Sequence, residues 1–436
     1  MTEPLPVLVV GAGFTGTALA VQLARRGARV LLLDPDPPGR GVAYGTTEPL
    51  HLLNVHARNM SALADQPDHF HRWTTTRDPA EFGPLCPGPD ADAFAPRMLY
   101  ARYLGDLLAA EPGVTHRPVR VTALRRDGAG FVAEPGGFRG RAAALCLGNP
   151  PPRPMAGGPG VIPDPWAPGA LAGIAADDPV LVLGAGLTAT DVIMSLRGRH
   201  GHRGPIHAVS RHGWSPLPQI EPRPPARPAG SFGVERGLAR AMRDLRAHCA
   251  EEPWQAGFDG LRPGTTPAWR AMDDAARRRF LRHARTAWNI HRHRLAPVVA
   301  ARLRAERESG DLTLHAARLL SFAPGAARLR PRGARTEAEE TAVAARWLIN
   351  CTGPDNAGGL LAQPLVRDLV EAGMLTPDPL GLGLTTDPGT LEAAPGLYLL
   401  GPATRAVFWE STAVPELRVQ ADIVARHATE RAPVPA

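Results

Sequence analysis

Apolar and polar positions fall into blocks along this chain, and two of the blocks have the same shape. The first runs from Pro6 to Asp34, "PVLVVGAGFTGTALAVQLARRGARVLLLD". A short apolar run meets a glycine turn. Ala, Leu and Val then recur at helical spacing, and a second apolar run ends in an acid. The second block, Asp178 to Arg211, is "DPVLVLGAGLTATDVIMSLRGRHGHRGPIHAVSR" and repeats strand, glycine turn, helix, strand. The two form one duplication in kind, not a short-period array.

Around these blocks the pattern is more varied. Residues 41–75 are rich in turn formers, and "RMLYARYLGDLLAA" at 97–110 has helical spacing. "RPVRVTALRRDGAGFVAE" reads as short strands around a turn at Asp127–Gly128. "AAALCLGNPPPRP" is a strand that ends in glycine and enters a proline-rich crossing segment at 149–170. The stretch 214–310 is arginine-rich: its "PRPPARPAGSFG" piece is loop and the remainder is mostly helical. Strand signal returns near 311–350, where Trp347–Leu348–Ile349 enters "NCTGPDN", and a last strand and helix occupy 396–428.

Each glycine block carries a chemical signal. Gly11, Gly13 and Gly16 form GxGxxG between a strand and a helix, with Phe14 and Thr15 inside the turn. Gly11 permits the tight turn, Gly13 lets backbone approach a pyrophosphate, and Gly16 lets helix and strand pack closely. Asp34 ends the second strand, 18 residues past Gly16, where an acid binds a ribose hydroxyl. The second block has Gly184, Gly186 and Ala189, with Leu187 and Thr188 opening its helix. Its second strand ends in Ser210–Arg211 and has no acid at the tip. A carboxylate there would repel a 2′-phosphate, whereas a hydroxyl and a guanidinium would bind one. The first site therefore reads as a flavin dinucleotide site and the second as preferring NADPH to NADH. Together they indicate an electron path in which NADPH delivers hydride to FAD.

Composition narrows the class. The 436 residues are 44% apolar and 21% charged, which suits a globular protein of more than one domain. The formal charge is +7, and with no lysine present every basic side chain counted is an arginine. The arginines are scattered among abundant Ala, Gly and Pro, which fits a coding bias better than a nucleic-acid-binding block. Cys86, Cys146, Cys249 and Cys351 form no CxxC pair, so neither a zinc site, a disulfide framework nor a dithiol redox centre is suggested. No leader precedes the strand that begins at Val7, and no apolar run reaches membrane-spanning length, so the cytoplasm is the expected location.

The chain resembles the two-dinucleotide-binding flavoproteins, and within them the bacterial FAD/NAD(P)-binding proteins related to flavin-dependent N-hydroxylating monooxygenases. The likeness is carried by "GRGVAYG" (Gly39–Gly45), "HLLNVHARNMSALADQPDHF" (His51–Phe70), "LCLGNPPP" (Leu145–Pro152), "WNIHRHR" (Trp288–Arg294) and "LGPATRAVFWESTAVPELR" (Leu400–Arg418). It implies an α/β fold of two Rossmann-like domains, the NADP domain inserted in the FAD domain, with an additional mostly helical segment. The expected division is 1–160 for the first part of the FAD domain and 175–345 for the NADP domain with its helical insertion at about 214–310. Residues 346–436 then form the returning FAD segment.

The resemblance also implies site residues. Leu53, Asn54 and Val55 would face the isoalloxazine, with Met60 and Ser61 nearby; Asn54 alternatively makes a structural turn. Tyr44 either stacks on a ring or is a packing residue. Val121 would reach the adenine through its backbone, and Gly148 and Gly353 end strands at the cofactor sites. Many relatives have Gly-Asp after the last strand where this chain has Gly401–Pro402, and proline offers neither a carboxylate nor an N–H. Thr404 and backbone amides are the expected substitutes. The helix starting near Thr412, Ala413 and Val414 would aim its positive end at the flavin. Glu410 would face substrate or a structural arginine such as Arg405.

In the middle segment, His291 and His293 are at i, i+2 and face apart on a helix, so no metal site is expected. Arg292 and Arg294 lie either on a solvated face or in the active site, bound to a substrate carboxylate or to NADPH phosphates. The implied activity is an NADPH-dependent FAD monooxygenase that N-hydroxylates a small amine or amino acid with O₂ through a flavin C4a-hydroperoxide. The alternative is a flavin reductase or dehydrogenase without oxygen insertion.

Overall fold

The protein is described by a computed structural model, in which residues 4–128, 130–229, 233–356 and 358–430 are defined. The end of the proline-rich piece at 230–232 lies outside the described residues.

Two sheets carry the two glycine motifs. The six-stranded sheet has the order Glu392–Ala394, Leu397–Leu399, Ala142–Leu145, Val7–Val10, Val30–Leu33, Val114–Arg117. All its pairings are parallel except the outermost one, between Glu392–Ala394 and Leu397–Leu399. Its central strands are apolar at every position and buried on both faces, the signature of a sheet covered by helices. Helices Phe14–Arg25, Arg97–Ala109 and Val414–Glu430 cover one face, where Phe14, Leu19, Leu23, Tyr100, Leu104 and Val424 share a core. On the other face lie the three-stranded antiparallel sheet Ala123–Asp127, Gly130–Glu134, Phe138–Gly140 and the helix Pro364–Glu371.

The seven-stranded sheet is mixed. Its parallel part has Leu312–Ala323, Ile206–Ser210, Val180–Leu183, Trp347–Asn350 and Val161–Ile162 in that order. The long strand Leu312–Ala323 continues past this sheet and pairs antiparallel with Gly325–Pro331, which pairs with Thr341–Ala345. The strand Trp347–Asn350 was expected in the segment that returns to the first sheet. It pairs instead with Val180–Leu183, and Val161–Ile162, ahead of the expected boundary at 175, joins the same sheet. An apolar run identifies a strand but not its neighbour, and here the neighbour is the second glycine motif. The chain therefore crosses back to the first sheet after Asn350.

The arginine-rich middle is a helical layer comprising Leu238–Ala250, Trp254–Gly260, Arg262–Ala271, Asp274–His283 and Arg285–Arg292. Its core is aromatic: Phe258, Trp269, Phe280 and Trp288 pack with Trp409 from the C-terminal segment. No helix among the described residues is long and apolar enough to cross a membrane.

Candidate functional site

The two glycine turns are built alike, atom for atom. Gly11 N–H donates to Leu33 O at 2.9 Å, and Gly184 N–H donates to Val209 O at 2.8 Å. Cys146 N–H donates to Val10 O at 2.8 Å, and Cys351 N–H donates to Leu183 O at 2.9 Å. Gly11 has φ +99°, and a Cβ on it would stand 2.3 Å from Cys146 O. Gly184 has φ +126°, and its Cβ would stand 2.2 Å from Cys351 O. Only glycine fits either place. Gly16 is excluded from change too, since its Cβ would meet Gly11 O at 1.8 Å. The two cysteines are thus strand-end residues beside the turns, and burial pushes both thiols far above their ordinary pKa.

Gly13 and Gly186 differ from these. A Cβ on Gly13 would meet only Gly41 Cα, at 3.8 Å, and one on Gly186 would meet open space. Each precedes a helix, Phe14–Arg25 or Leu187–Arg197, whose first turn has no side-chain cap and no acid. Uncapped amides and a positive helix end leave both positions open to an anion.

A long cavity of about 1210 Å³ runs from the first turn. Gly11, Gly13, Phe14, Thr15 and Asp34 line it at one end, with Val121 and Gly148. Asp34 closes over the turn: its Oδ2 accepts Ala12 N–H at 2.6 Å and its Oδ1 accepts Asp36 N–H at 2.9 Å. A carboxylate has lone pairs left for a ribose hydroxyl. Tyr44 also lines the cavity and packs on Tyr100, ring centres 4.6 Å apart. Both expected roles for Tyr44 thus remain compatible with its position. Pro402, Thr412 and Leu417 line the cavity from the C-terminal segment. A dinucleotide site needs a glycine cradle, an acid and an extended cleft, and the residues present fit one.

Several expected cofactor contacts lie elsewhere. Leu53 and Met60 are buried in the core of the first sheet, and Val55 packs on that core. Ser61 is fully buried, and its Oγ accepts Leu63 N–H at 3.1 Å. None of the four lines the cavity, because the apolar residues of "LLNV" follow the hydrophobic core rather than the cleft. Asn54 is half-buried and also outside the lining; its carbonyl accepts Gln219 Nε2–H at 3.1 Å.

The Gly401–Pro402 turn is held from behind. Gly401 has φ +82°, its N–H donates to Gln420 Oε1 at 3.0 Å, and Gln420 Nε2–H donates to Thr404 Oγ1 at 3.3 Å. Thr404 Oγ–H donates to Gly401 O at 2.8 Å. Thr404 therefore braces the turn and does not replace the missing aspartate at a cofactor. Thr412 is exposed to the cavity, while Val414 is buried and begins the helix Val414–Glu430, with Ala413 just ahead of it. Gln420 lies inside an ordinary helical pattern, and nothing in the sequence marks it.

Arg292 and the buried Arg294 and Glu410 are all engaged in ion pairs within the chain. Arg292 Nε lies 3.2 Å from Glu410 Oε2 and its Nη2 3.5 Å from Glu416 Oε1. Trp288 Nε1–H donates to Glu410 Oε1 at 2.9 Å. Burial alone would raise the Glu410 carboxyl, but Arg292, His293, Trp288 and Arg405 together hold it below the usual carboxylate range. Arg262 pairs with Glu416, and Arg294 pairs with Asp259. The two arginines proposed to hold a substrate carboxylate are thus already matched by carboxylates of the chain. They lie neither on a solvated face nor in the long cavity.

Gly184, Gly186, Ser210 and Arg211 of the second motif do not line the long cavity. Ser210 Oγ accepts Gly213 N–H at 3.0 Å, so its hydroxyl holds the turn. Arg211 is exposed beside His212 and Trp214, whose rings stack at 4.9 Å. Leu187 packs on the cluster around Leu50, Thr188 is half-buried, and Gly353 has φ +81° just after Cys351.

A clamp that no sequence motif marks joins the helices Arg97–Ala109 and Leu187–Arg197. Arg97 binds Asp191 with two hydrogen bonds, at 2.6 and 3.1 Å, and its Nε–H donates to Leu52 O at 3.0 Å. Beside it His51 Nε2 lies 2.9 Å from both Asp191 O and Ser195 Oγ. A carbonyl only accepts, so the ring proton sits on Nε2. Burial lowers the His51 pKa, with Asp191 opposing it.

The comparisons agree with this architecture. Residues 8–150 match the model of the FAD-NAD(P)-binding family. The chain thus carries an FAD/NAD(P)-binding domain. A curated relative, the tRNA 5-methylaminomethyl-2-thiouridine biosynthesis bifunctional protein of Chromohalobacter salexigens, is 35% identical over 77 residues. That match spans 17% of this chain and only 11% of the relative. Among solved structures, L-lysine 6-monooxygenase from Pseudomonas syringae aligns over 98% of this chain and 99% of its own, at 18% identity and TM-score 0.66. The ornithine N-hydroxylase of Kutzneria sp. 744 covers 98% and 99%, at 15% identity and TM-score 0.64. T. acidophilum thioredoxin reductase covers 98% of each chain, at 12% identity and TM-score 0.55. The fold is that of flavin-dependent oxidoreductases.

Proposed function

We propose that the protein is an NADPH-dependent FAD monooxygenase that N-hydroxylates a small amine or amino acid. The observation that carries this reading is the pair of like-built glycine turns with opposite tips, Asp34 on one and Ser210–Arg211 on the other. FAD lies in the long cavity, its pyrophosphate at Gly13 and the start of helix Phe14–Arg25, its ribose at Asp34 and its adenine by Val121. Pro402 and Thr412 would line the part of the cavity left for its ring system. NADPH binds at Gly186 and the start of helix Leu187–Arg197, with its 2′-phosphate on Arg211.

FAD supplies hydride acceptance and O₂ activation when bound. The chain's own contribution is to orient both dinucleotides and to keep water from the reacting end. Glu410, paired with Arg292, accepts the Trp288 indole N–H and so fixes that ring. The absence of any CxxC pair counts against disulfide reduction through a paired dithiol.

The test has two stages. NADPH should bleach the flavin anaerobically, and faster than NADH does. In air with an amine panel, NADPH consumption should yield a hydroxylated amine by mass spectrometry. Bleaching with no oxygenated product from any amine would leave a flavin reductase or dehydrogenase in its place.

A further inference from the structure

The second glycine motif ends in a basic, aromatic loop. Arg211, His212, Gly213 and Trp214 follow directly on the strand Ile206–Ser210. Gly213 has φ +66°, and a Cβ on it would stand 2.9 Å from Ala316 Cβ, so the loop lies tight against the neighbouring strand. Ala316 is in register with Ser210, and its carbonyl accepts Arg332 N–H at 2.7 Å. Arg332 follows the strand Gly325–Pro331. Its backbone is therefore two strand spacings, roughly 10 Å, from the tip at Ser210, within reach of an arginine side chain.

This loop carries positive charge with no acid to balance it. Arg211 and Arg332 are exposed, and neither has a carboxylate partner among the described residues. Elsewhere the chain matches its arginines, as in Arg97–Asp191 and Arg294–Asp259. Burial lowers the His212 pKa, and Arg332 and Arg211 lower it further, so both guanidinia bear on one ring. Arg285 opens the helix Arg285–Arg292; burial lowers its pKa and Arg211 adds to the shift. Like charges gathered without a counter-ion repel one another, and an anion placed among them is held strongly. The loop also presents an aromatic surface. His212 stacks on Trp214 at 4.9 Å and 24°, yet 44% of Trp214 stays exposed. A base stacked on such a ring gains about 1–3 kcal/mol.

We propose that this loop holds the adenosine end of NADPH, with the adenine stacked on Trp214 and Arg332 joining Arg211 on the 2′-phosphate. A dinucleotide whose pyrophosphate lies at Gly186 and the start of helix Leu187–Arg197 places its adenosine outside the tip of Ile206–Ser210, and Trp214 is four residues past that tip. Two guanidinia from different strands enclose a dianion that NADH lacks, and each can engage it bidentately. The indole serves NADPH and NADH alike, because both carry adenine; Arg332 serves only the phosphorylated one. This inference rests on the NADPH assignment made above and does not depend on the oxygenation step.

The test is calorimetric titration of the FAD-loaded protein with NADP⁺ and NAD⁺, beside anaerobic bleaching by NADPH. The parent should bind NADP⁺ at least tenfold more tightly than NAD⁺. Arg332→Ala should weaken NADP⁺ at least fivefold and NAD⁺ less than twofold, so the preference shrinks. Trp214→Ala should weaken both at least fivefold and by similar factors, and Trp214→Phe, which keeps a ring, should recover most of that loss. Both positions are exposed, so all three variants should melt with the parent. In a parent that NADPH bleaches, an unchanged preference in Arg332→Ala, or unchanged binding of both dinucleotides in Trp214→Ala, would overturn the inference and leave the NADPH reading standing. A parent that binds neither dinucleotide and is not bleached would overturn both. Variants that behave as described, in a protein that hydroxylates no amine, would uphold the loop assignment and overturn the monooxygenase reading.

Discussion

At the scale of single residues, the glycines of each turn divide into two kinds with different consequences. Gly11→Ala puts a Cβ against Cys146 O and strains a φ of +99°, so it should cost at least about 2 kcal/mol and lower Tm by several degrees. Gly13→Ala meets only open space and Gly41, so it should melt like the parent yet lose FAD affinity about tenfold or more. Thermal melts beside flavin titrations separate the two effects. A second prediction concerns His293, half-buried beside Glu410 and Arg292. Burial, aided by Arg292 and Arg405 and opposed by Glu410, lowers its pKa from 6.5 to about 4. Above pH 6.5 the ring is neutral in both folded and unfolded chains, and its contribution to stability is whole. As pH falls from 6.5 towards 4 only the unfolded chain takes the proton, so stability drops by at most about 3–3.5 kcal/mol. Denaturation curves of His293→Gln should show a shallower acid loss across that window.

At the scale of elements, the Arg97–Asp191 pair ties helix Arg97–Ala109 to helix Leu187–Arg197. The pair is mostly buried, so Asp191→Ala strands a guanidinium and should cost about 3 kcal/mol. Replacing both partners with leucine should recover much of that loss, since no unpaired charge remains. A double-mutant cycle in chemical denaturation measures the difference. The helices themselves were legible in the sequence: "RMLYARYLGDLLAA" is the helix Arg97–Ala109, and the opening strands lie where their apolar runs put them. What the helices carry towards one another was not legible. Arg97 reads as one polar position among many, and its partner is 94 residues away.

At the scale of the whole molecule, the fold is shared with both hydroxylases and thioredoxin reductases, so fold alone does not choose the chemistry. The cysteines do offer a discriminating experiment. Cys146 and Cys351 are buried at strand ends and Cys86 is buried, leaving Cys249 as the most accessible thiol. Alkylation of the folded protein should therefore leave NADPH-driven flavin bleaching unchanged, as followed by visible absorbance; loss of bleaching would point to a thiol in the electron path.

The sequence by itself determined the two strand–turn–helix–strand units, their glycines and their opposite tips. Those features depend on residues close together in the chain, where spacing alone dictates backbone and chemistry. Tertiary structure decided that Trp347–Asn350 extends the second sheet, that Leu53 and Met60 face the core, and that Arg292 and Arg294 meet carboxylates of the chain. Each of these turns on which surface a side chain meets after the layers pack. The aromatic cluster of the helical layer is the extreme case: Trp269, Phe280, Trp288 and Trp409 come from three helices and a C-terminal loop, and only their packing reveals that the Trp409 indole N–H is left without a partner among the described residues.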